Sequence, residues 1–179
     1  MRNKGLASVG RAVLLFVIAV ILQTLLVSQI SVLGVTADLF LILTVIVGLA
    51  LGSLEGAVFG FFAGVVHDTV FFQTLGIHAL IFVLVGYFVG MFRARFQTVN
   101  LWAVFILTIV SSFAAQFTFG LLQYAMQPRV SFFTLMGTQM IPGAVFDALI
   151  SVPVYILLVR VRILPAPGPD QAPVGGGAE

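Results

Sequence analysis

The sequence predicts an all-α membrane protein, a polytopic bundle of six transmembrane helices. Hydrophobic residues make up 61% of the chain and charged residues 8%, and the mean hydropathy is +1.21. A soluble domain carries about a quarter charged residues, so this chain cannot cover itself with polar surface. Glycines also recur at a four-residue step, at Gly48, Gly52, Gly56, Gly60 and Gly64. Four-residue spacing puts them on one helix face, and in lipid small residues let two helices pack closely.

Apolar stretches divide the chain into six predicted spans, at 12–33, 39–51, 56–72, 77–92, 101–126 and 144–159. The first stretch is too long for an ordinary signal-peptide core and further spans follow it, so we interpret it as an uncleaved helix. The second is short, and we expect it to form a hairpin with the third.

Turn and cap residues set the boundaries of these spans. Asp38 is a plausible N-cap for the second span, and the stretch 52–55 predicts a turn with Glu55 at the start of the next helix. The Pro-Gly pair at 142–143 predicts a break between a short surface helix, 132–140, and the last span. Alternatively, the last span begins earlier and kinks at its proline.

The predicted organisation has three parts. Residues 1–11 form a cytoplasmic segment, 12–162 the six-span domain, and 163–179, rich in proline, glycine and alanine, a disordered cytoplasmic tail. Six spans leave Arg129 on one side of the membrane and every other basic residue on the side of the termini: Arg2, Lys4, Arg11, Arg93, Arg95, Arg160 and Arg162. The positive-inside rule then places both termini in the cytoplasm.

Acidic side chains within the spans are the candidate functional residues. Asp68 and Asp147 each lie inside a predicted span, where a charge at the helix centre costs roughly 2.5–3.5 kcal/mol. His67 and His78 fall in the same outer half of the membrane. One interpretation is a polar pocket that opens outwards. The other is that the two acids satisfy groups on neighbouring helices and fix the packing.

Recognisable catalytic motifs are missing from the sequence. There is no metal-ligand cluster, phosphate-binding loop or nucleophile elbow, and there is no cysteine. The spacing of His67 and His78 fixes no metal geometry. Asp38 and Glu55 are more simply explained as helix-start residues. We therefore expect no enzymatic activity, no catalytic residue, no metal and no cofactor, and the net charge of +2 is too small to indicate nucleic acid.

An ordered set of residues runs through the second to fourth spans: Asp38-Leu39, Gly56, Gly60-Phe61, Gly64, Asp68, Leu75-Gly76, Gly86-Tyr87 and Gly90. In this order they resemble the MreD family, small bacterial membrane proteins of rod-shape determination. The resemblance extends over residues 12–162. It includes the length of this region, the number of spans and the C-terminal stretch 142–162. The chain departs from the family pattern at His67, where leucine is usual, and at Asp147, where asparagine is more usual. The carboxyl group of Asp147 argues against a purely neutral packing role for this position.

The resemblance implies a non-enzymatic component of the cell-wall elongation complex in the bacterial cytoplasmic membrane. The partners that it implies are the single-span MreC, the glycosyltransferase RodA with its transpeptidase and, indirectly, the MreB filament. The family is also similar in fold to the substrate-binding subunits of energy-coupling-factor vitamin transporters, which are six-helix bundles.

Two functions of different classes are open at this point. In the first, glycine faces on the third and fourth spans dock with MreC or a synthase, although the pattern does not say whether they pack inside the bundle instead. In the second, a pocket near Asp68 and Asp147 binds a small molecule for a vitamin-type transporter. The first is favoured because the pocket lacks a visible set of convergent donors. A structural bundle without partners is a third interpretation. The candidate docking glycines are Gly56, Gly60, Gly64, Gly86 and Gly90.

Overall fold

Helices account for all the regular structure in the described part of the chain. The computed structural model describes residues 17, 20, 21, 23, 36–71, 76–93, 101–126 and 136–160. The predicted all-α class is confirmed for these residues. The helices are α1 (Leu39–Leu51), α2 (Ser53–Val70), α3 (Ile77–Phe92), α4 (Leu101–Met126) and α5 (Ile141–Arg160), with one π-helical turn at Met136–Met140.

Among the described residues, two helices are long and apolar enough to cross a membrane, α5 and the part of α4 at Leu101–Leu122. The outer surface of the bundle fits this environment, because it carries large apolar side chains such as Phe62, Leu84 and Trp102. Several polar side chains, among them Asp68 and Asp147, are buried, while Glu55 and Arg160 are exposed. Large apolar side chains over so much of the surface are unusual in a soluble domain.

The bounds of α1, α3 and α4 coincide with the predicted ones, whereas α2 begins three residues before and ends two residues before the predicted bounds of 56–72. The expected four-residue turn is a single residue, Gly52, whose φ of +125° reverses the chain at once. This region of backbone space is open to glycine and closed to most other residues. Consequently α2 begins at Ser53, three residues before the predicted start, and Glu55 lies in its first turn as expected.

The predicted break at 142–143 is wrong. Helix α5 begins at Ile141 and runs through both residues, so the alternative of an earlier start describes the chain better. Pro142 lies in the first turn, where its missing N–H has no helical acceptor to lose. Gly143 faces the side-chain amide of Gln116, and a Cβ at Gly143 would lie 2.7 Å from its Oε1. The glycine therefore allows a close helix contact.

Helix α1 is the centre of the bundle. Twelve of its 13 residues are buried, and it contacts α2, α3, α4 and α5. At 1.5 Å per residue it is about 20 Å long, shorter than the ~30 Å hydrocarbon layer. A helix of this length suits a position enclosed by protein, where its ends are met by other polypeptide groups.

The glycine stripe on α2 packs against α3, and this is the most extensive helix contact in the bundle. A Cβ on Gly56 would lie 2.6 Å from the carbonyl oxygen of Gly86, closer than real Cβ atoms approach. The two helices therefore fill each other's glycine faces, and a foreign helix has no access to them in this arrangement. At the other glycines of this contact, a Cβ on Gly60 would meet Phe82, one on Gly64 would meet Ala79, and one on Gly90 would meet Ser53.

Several predictions lie outside the described residues. They are the N-terminal segment 1–11, most of the first span, the surroundings of Arg95 and Arg129, the residues 132–135 and the tail 163–179. The six-span count and the cytoplasmic location of both termini stay predictions.

Candidate functional site

The polar residues singled out in the sequence come together at one end of the bundle. Asp38 precedes α1 and Asp147 lies near the start of α5, while His67 and Asp68 lie near the end of α2 and His78 near the start of α3. Because α1, α2 and α3 alternate in direction, these chain positions meet at the same end. We call this set of five residues the polar cluster.

Asp147 is the most extensively bonded member of the cluster. It is 2% exposed, and its Oδ1 accepts the backbone N–H of Asp38 at 2.8 Å. Its Oδ2 accepts the hydroxyl of Ser112 and, at 3.4 Å, Nε2 of Gln116, which also donates to Ser112 at 2.9 Å. Three donors from two other parts of the chain therefore replace the water that a buried carboxylate loses.

Asp38 is both a helix cap and a member of the cluster. Its Oδ1 accepts the backbone N–H groups of Phe40 at 3.0 Å and Leu41 at 3.1 Å, so the predicted N-cap of α1 is confirmed. Its Oδ2 lies 3.6 Å from Nε2 of His67. The interpretation of Asp38 as a helix-start residue alone is therefore incomplete.

Asp68 joins the end of α2 to the start of α3. It is 1% exposed, its Oδ2 accepts the backbone N–H of Gly76 at 2.7 Å, and its Oδ1 lies 2.6 Å from Nδ1 of His78. Gly76 has a φ of +97°, a left-handed conformation that glycine adopts without strain. Asp68 thus holds the backbone of Gly76 and the imidazole of His78.

The two imidazoles lie against each other between two phenyl rings, with their planes tilted by 38°. The ring centroids of His67 and His78 are 4.2 Å apart, with Phe71 4.8 Å from His67 and Phe119 4.4 Å from His78. Nδ1 of His67 is buried and has no hydrogen-bond partner within the ranges that the structure describes. The contact between the two imidazoles therefore links Asp38, beside His67, to Asp68, beside His78.

Two residues of the network escaped sequence analysis, Ser112 and Gln116. They lie four residues apart on α4 and therefore share a face, which is a signal that the sequence contains. Gln23 is a third such residue. Its Nε2 donates to the carbonyl of Ala37 at 3.1 Å and its Oε1 accepts the N–H of Leu39 at 2.8 Å. A glutamine from the predicted first span thus supports the entry to α1.

A cavity of about 320 Å³ lies at the polar cluster. Its polar lining includes Asp38, His67, His78, Gln116 and Asp147. Asp68 is not among the lining residues, because its carboxylate is turned towards Gly76 and His78. The cavity is lined by Asp147 and by His78, which contacts Asp68. A functional pocket near both acids stays a prediction.

Basic side chains lie at the other end of the bundle. In the described ranges these are Arg93 and Arg160, at the ends of α3 and α5. Nη1 of Arg93 donates to the carbonyl of Leu51 at 2.5 Å, where α1 ends. The bundle thus has a cationic end and an end with carboxylates and imidazoles.

A possible metal-ligand set also emerges from the fold. Donor atoms of His67, Asp68 and His78 lie within 4.8 Å of one another. The spacing of these residues in sequence gave no such indication, because the third donor arrives on a different helix. No motif search along a single element would detect it.

The fold and the cluster define an all-helical membrane protein with an apolar exterior and a polar site at one end of its bundle. Within that class the chain belongs to the MreD family, since the family model described as rod shape-determining protein MreD matches residues 7–161. The resemblance to this family is confirmed. No curated protein and no solved structure matches the chain. The similarity in fold to energy-coupling-factor subunits stays a prediction.

Proposed function

We propose that this chain is a non-enzymatic membrane component of the cell-wall elongation complex. The observation that carries the proposal is the family match over residues 7–161, because the family determines rod shape and is not known for catalysis. The architecture supports a scaffold. A short central helix is enclosed by four others, and two of these interlock through glycine.

We propose that its partners are MreC and, in the same complex, RodA with its transpeptidase, while the MreB filament is reached indirectly. The glycine faces of α2 and α3 are occupied by each other, so docking falls to the outer faces of the helices. On α3 these faces carry Leu84, Phe88 and Met91, each about half exposed. Such side chains pack against either lipid or a partner helix, and van der Waals contact is the main source of helix association in membranes.

The proposed topology has six spans with both termini in the cytoplasm. It is supported by the position of Arg93 and Arg160, which share the end of the bundle opposite the polar cluster. Under the positive-inside rule this end faces the cytoplasm. The polar cluster then faces outwards, and Arg129 lies on its side of the membrane.

Reporter fusions test this topology. Alkaline phosphatase, which is active only outside the cytoplasm, is fused after residue 11, 97, 129 or 170. We expect activity from the fusion after residue 129 alone. Activity after residue 170 would place the C-terminus outside and overturn the even number of spans.

The function is tested in the bacterium from which the chain comes. Depletion of the protein is expected to convert rods to rounded cells, and re-expression of the wild-type chain to restore them. Co-purification with MreC is measured in the same cells from detergent extracts. Rods that persist after complete depletion, with normal incorporation of wall precursors, would contradict the proposal.

A vitamin-type transporter subunit is the alternative, and the structure does not favour it. The cavity is of ligand size, about 320 Å³, but the oxygens of Asp147 and the amide of Gln116 bond to groups of the protein itself. A ligand-specific rise in thermal unfolding temperature with a vitamin would favour the alternative, because a ligand that binds the folded state stabilises it.

A further inference from the structure

We propose that His67 and His78 bind one divalent transition-metal ion at the wall of the cavity, with the carboxylate of Asp68 beside them. Donor atoms of these three residues lie within 4.8 Å of one another. Both imidazoles also line the cavity, which gives an ion a path to them. The inference does not depend on a role in cell shape.

Each imidazole has a carboxylate at one of its ring nitrogens. Nδ1 of His78 lies 2.6 Å from Oδ1 of Asp68, and Nε2 of His67 lies 3.6 Å from Oδ2 of Asp38. Metal-binding histidines commonly donate one ring N–H to a carboxylate, which fixes the tautomer and leaves the other nitrogen to bind the metal. In this chain Asp68 occupies Nδ1 of His78, which leaves Nε2 of that ring for the metal. On His67 the candidate nitrogen is Nδ1, which has no hydrogen-bond partner among the described residues.

The unpartnered state of Nδ1 of His67 is a second, independent observation that points to a ligand. This nitrogen is buried and has no hydrogen-bond partner in the described part of the chain. A buried nitrogen without a partner destabilises a folded protein, and most such atoms acquire one. A metal ion held by His67 and His78 would supply that partner.

Charge favours a cation at this position. Asp68 and Asp38 provide two carboxylates beside the imidazoles, while the described basic side chains, Arg93 and Arg160, lie at the far end of the bundle. Imidazole is a ligand for zinc, copper, nickel and cobalt ions rather than for magnesium or calcium. The site is therefore assigned to this class of metal.

Binding requires a modest movement of the rings. Metal–nitrogen bonds are about 2.0–2.1 Å long, which puts two donors of a tetrahedral site about 3.3 Å apart. Donor atoms of His67, Asp68 and His78 lie within 4.8 Å of one another, so the imidazoles turn towards the ion to reach this shorter separation. The adjoining cavity gives His67 and His78 room for this rotation.

The test uses the full-length chain, purified with a histidine-free affinity tag, stripped with a chelator and desalted. Zinc is titrated and the bound metal is counted by mass spectrometry. Copper is added in a parallel experiment to record nitrogen hyperfine splitting by electron paramagnetic resonance. We expect one zinc per chain and a copper spectrum that reports nitrogen ligands.

Variants separate the site from adventitious binding. His67→Phe and His78→Phe each keep a planar ring in the ring contacts and remove the nitrogen that would bind the metal. Each variant is expected to weaken zinc binding by at least 100-fold. Asp68→Asn should weaken it 10–100-fold, as the loss of an outer-shell carboxylate does elsewhere. Gln139→Ala, which changes another lining residue of the cavity, is the matched control and should bind as the wild type does.

The thermal unfolding temperature of each metal-free variant is measured first, so that a loss of fold is not mistaken for a loss of ligand. Zinc should raise this temperature in the wild type and leave it unchanged in the two phenylalanine variants. The proposal is overturned if the wild type binds less than a stoichiometric amount of zinc, or if folded His67→Phe and His78→Phe proteins bind it equally well.

Discussion

The backbone N–H of Asp38 donates to Oδ1 of Asp147 at 2.8 Å, across 109 positions of sequence. This bond joins the entry of α1 to the first half of α5. Ser112 and Gln116 hold the other oxygen of the same carboxylate from α4. One buried acid therefore fixes three helices relative to each other, which explains how an intramembrane carboxylate can stabilise a fold in which it is expensive to bury.

Asp147→Ala is expected to lower the free energy of unfolding by about 1–3 kcal/mol, because it leaves buried donors without an acceptor. Ser112→Ala removes one of these donors. The double variant should lose less unfolding free energy than the sum of the two single losses, and the difference, the coupling energy, should be about 0.5–3 kcal/mol. The free energy of unfolding is measured in mixed micelles for the wild type, the two single variants and the double variant. Strict additivity would show that the Ser112–Asp147 contact contributes nothing.

Substitutions at Asp38 separate its capping role from its charge. Asn caps helices about as well as Asp, so Asp38→Asn should keep wild-type stability to within about 0.5 kcal/mol. Asp38→Ala should lose about 0.5–2 kcal/mol, because Phe40 and Leu41 lose the acceptor of their N–H groups. Equal losses in the two variants would instead assign the stabilisation to the charge beside His67.

Gly60 is expected to tolerate no larger residue. A Cβ at this position would lie within 3.0 Å of the backbone of Phe82, which cannot move aside as a side chain can. Gly60→Ala should destabilise the protein by about 1–3 kcal/mol even though alanine favours helix, and Gly60→Leu should prevent stable folding. Gly137→Ala has open space around it and serves as the control. Loss of MreC binding by a well-folded Gly60→Leu protein would restore this face as a docking surface.

Arg93 and Arg160 offer a matched pair at the cationic end. Arg93 donates to the carbonyl of Leu51 at the end of α1, a bond from a charged donor that contributes about 1.5–3 kcal/mol. Arg160 is exposed. Arg93→Ala should therefore lower the unfolding temperature, whereas Arg160→Ala should leave it nearly unchanged. Since each variant removes one positive charge, equal effects would point to net charge instead of the bond.

Much of the fold was predictable because the chain is clearly punctuated. Asp38, Gly52 and the basic residue after α3 mark helix ends in the sequence, and α1, α3 and α4 have the bounds expected. The start of α2 was missed because Gly52 turns the chain alone. The start of α5 was missed because Pro142 was interpreted as a helix breaker, although a proline in the first turn loses no hydrogen bond.

The candidate site was predictable in its location and not in its pairing. Helix direction alone puts Asp38, Asp68 and Asp147 at one end. Which groups meet depends on side-chain distances between helices, such as the 2.6 Å between His78 and Asp68. The glycine stripe shows the same limit, since its spacing predicts a close contact but does not identify the helix on the other side as α3.

The enclosure of α1 has a consequence for how the protein responds to its bilayer. A change in acyl-chain length is felt by helices that touch lipid, and they respond by tilting. Helix α1 has twelve buried residues and little surface through which lipid can act on it directly. Membranes of different thickness would thus tilt the outer helices relative to α1, which keeps its orientation. The strain would fall on the hydrogen bond of the Asp147 carboxylate, which joins α5 to the start of α1.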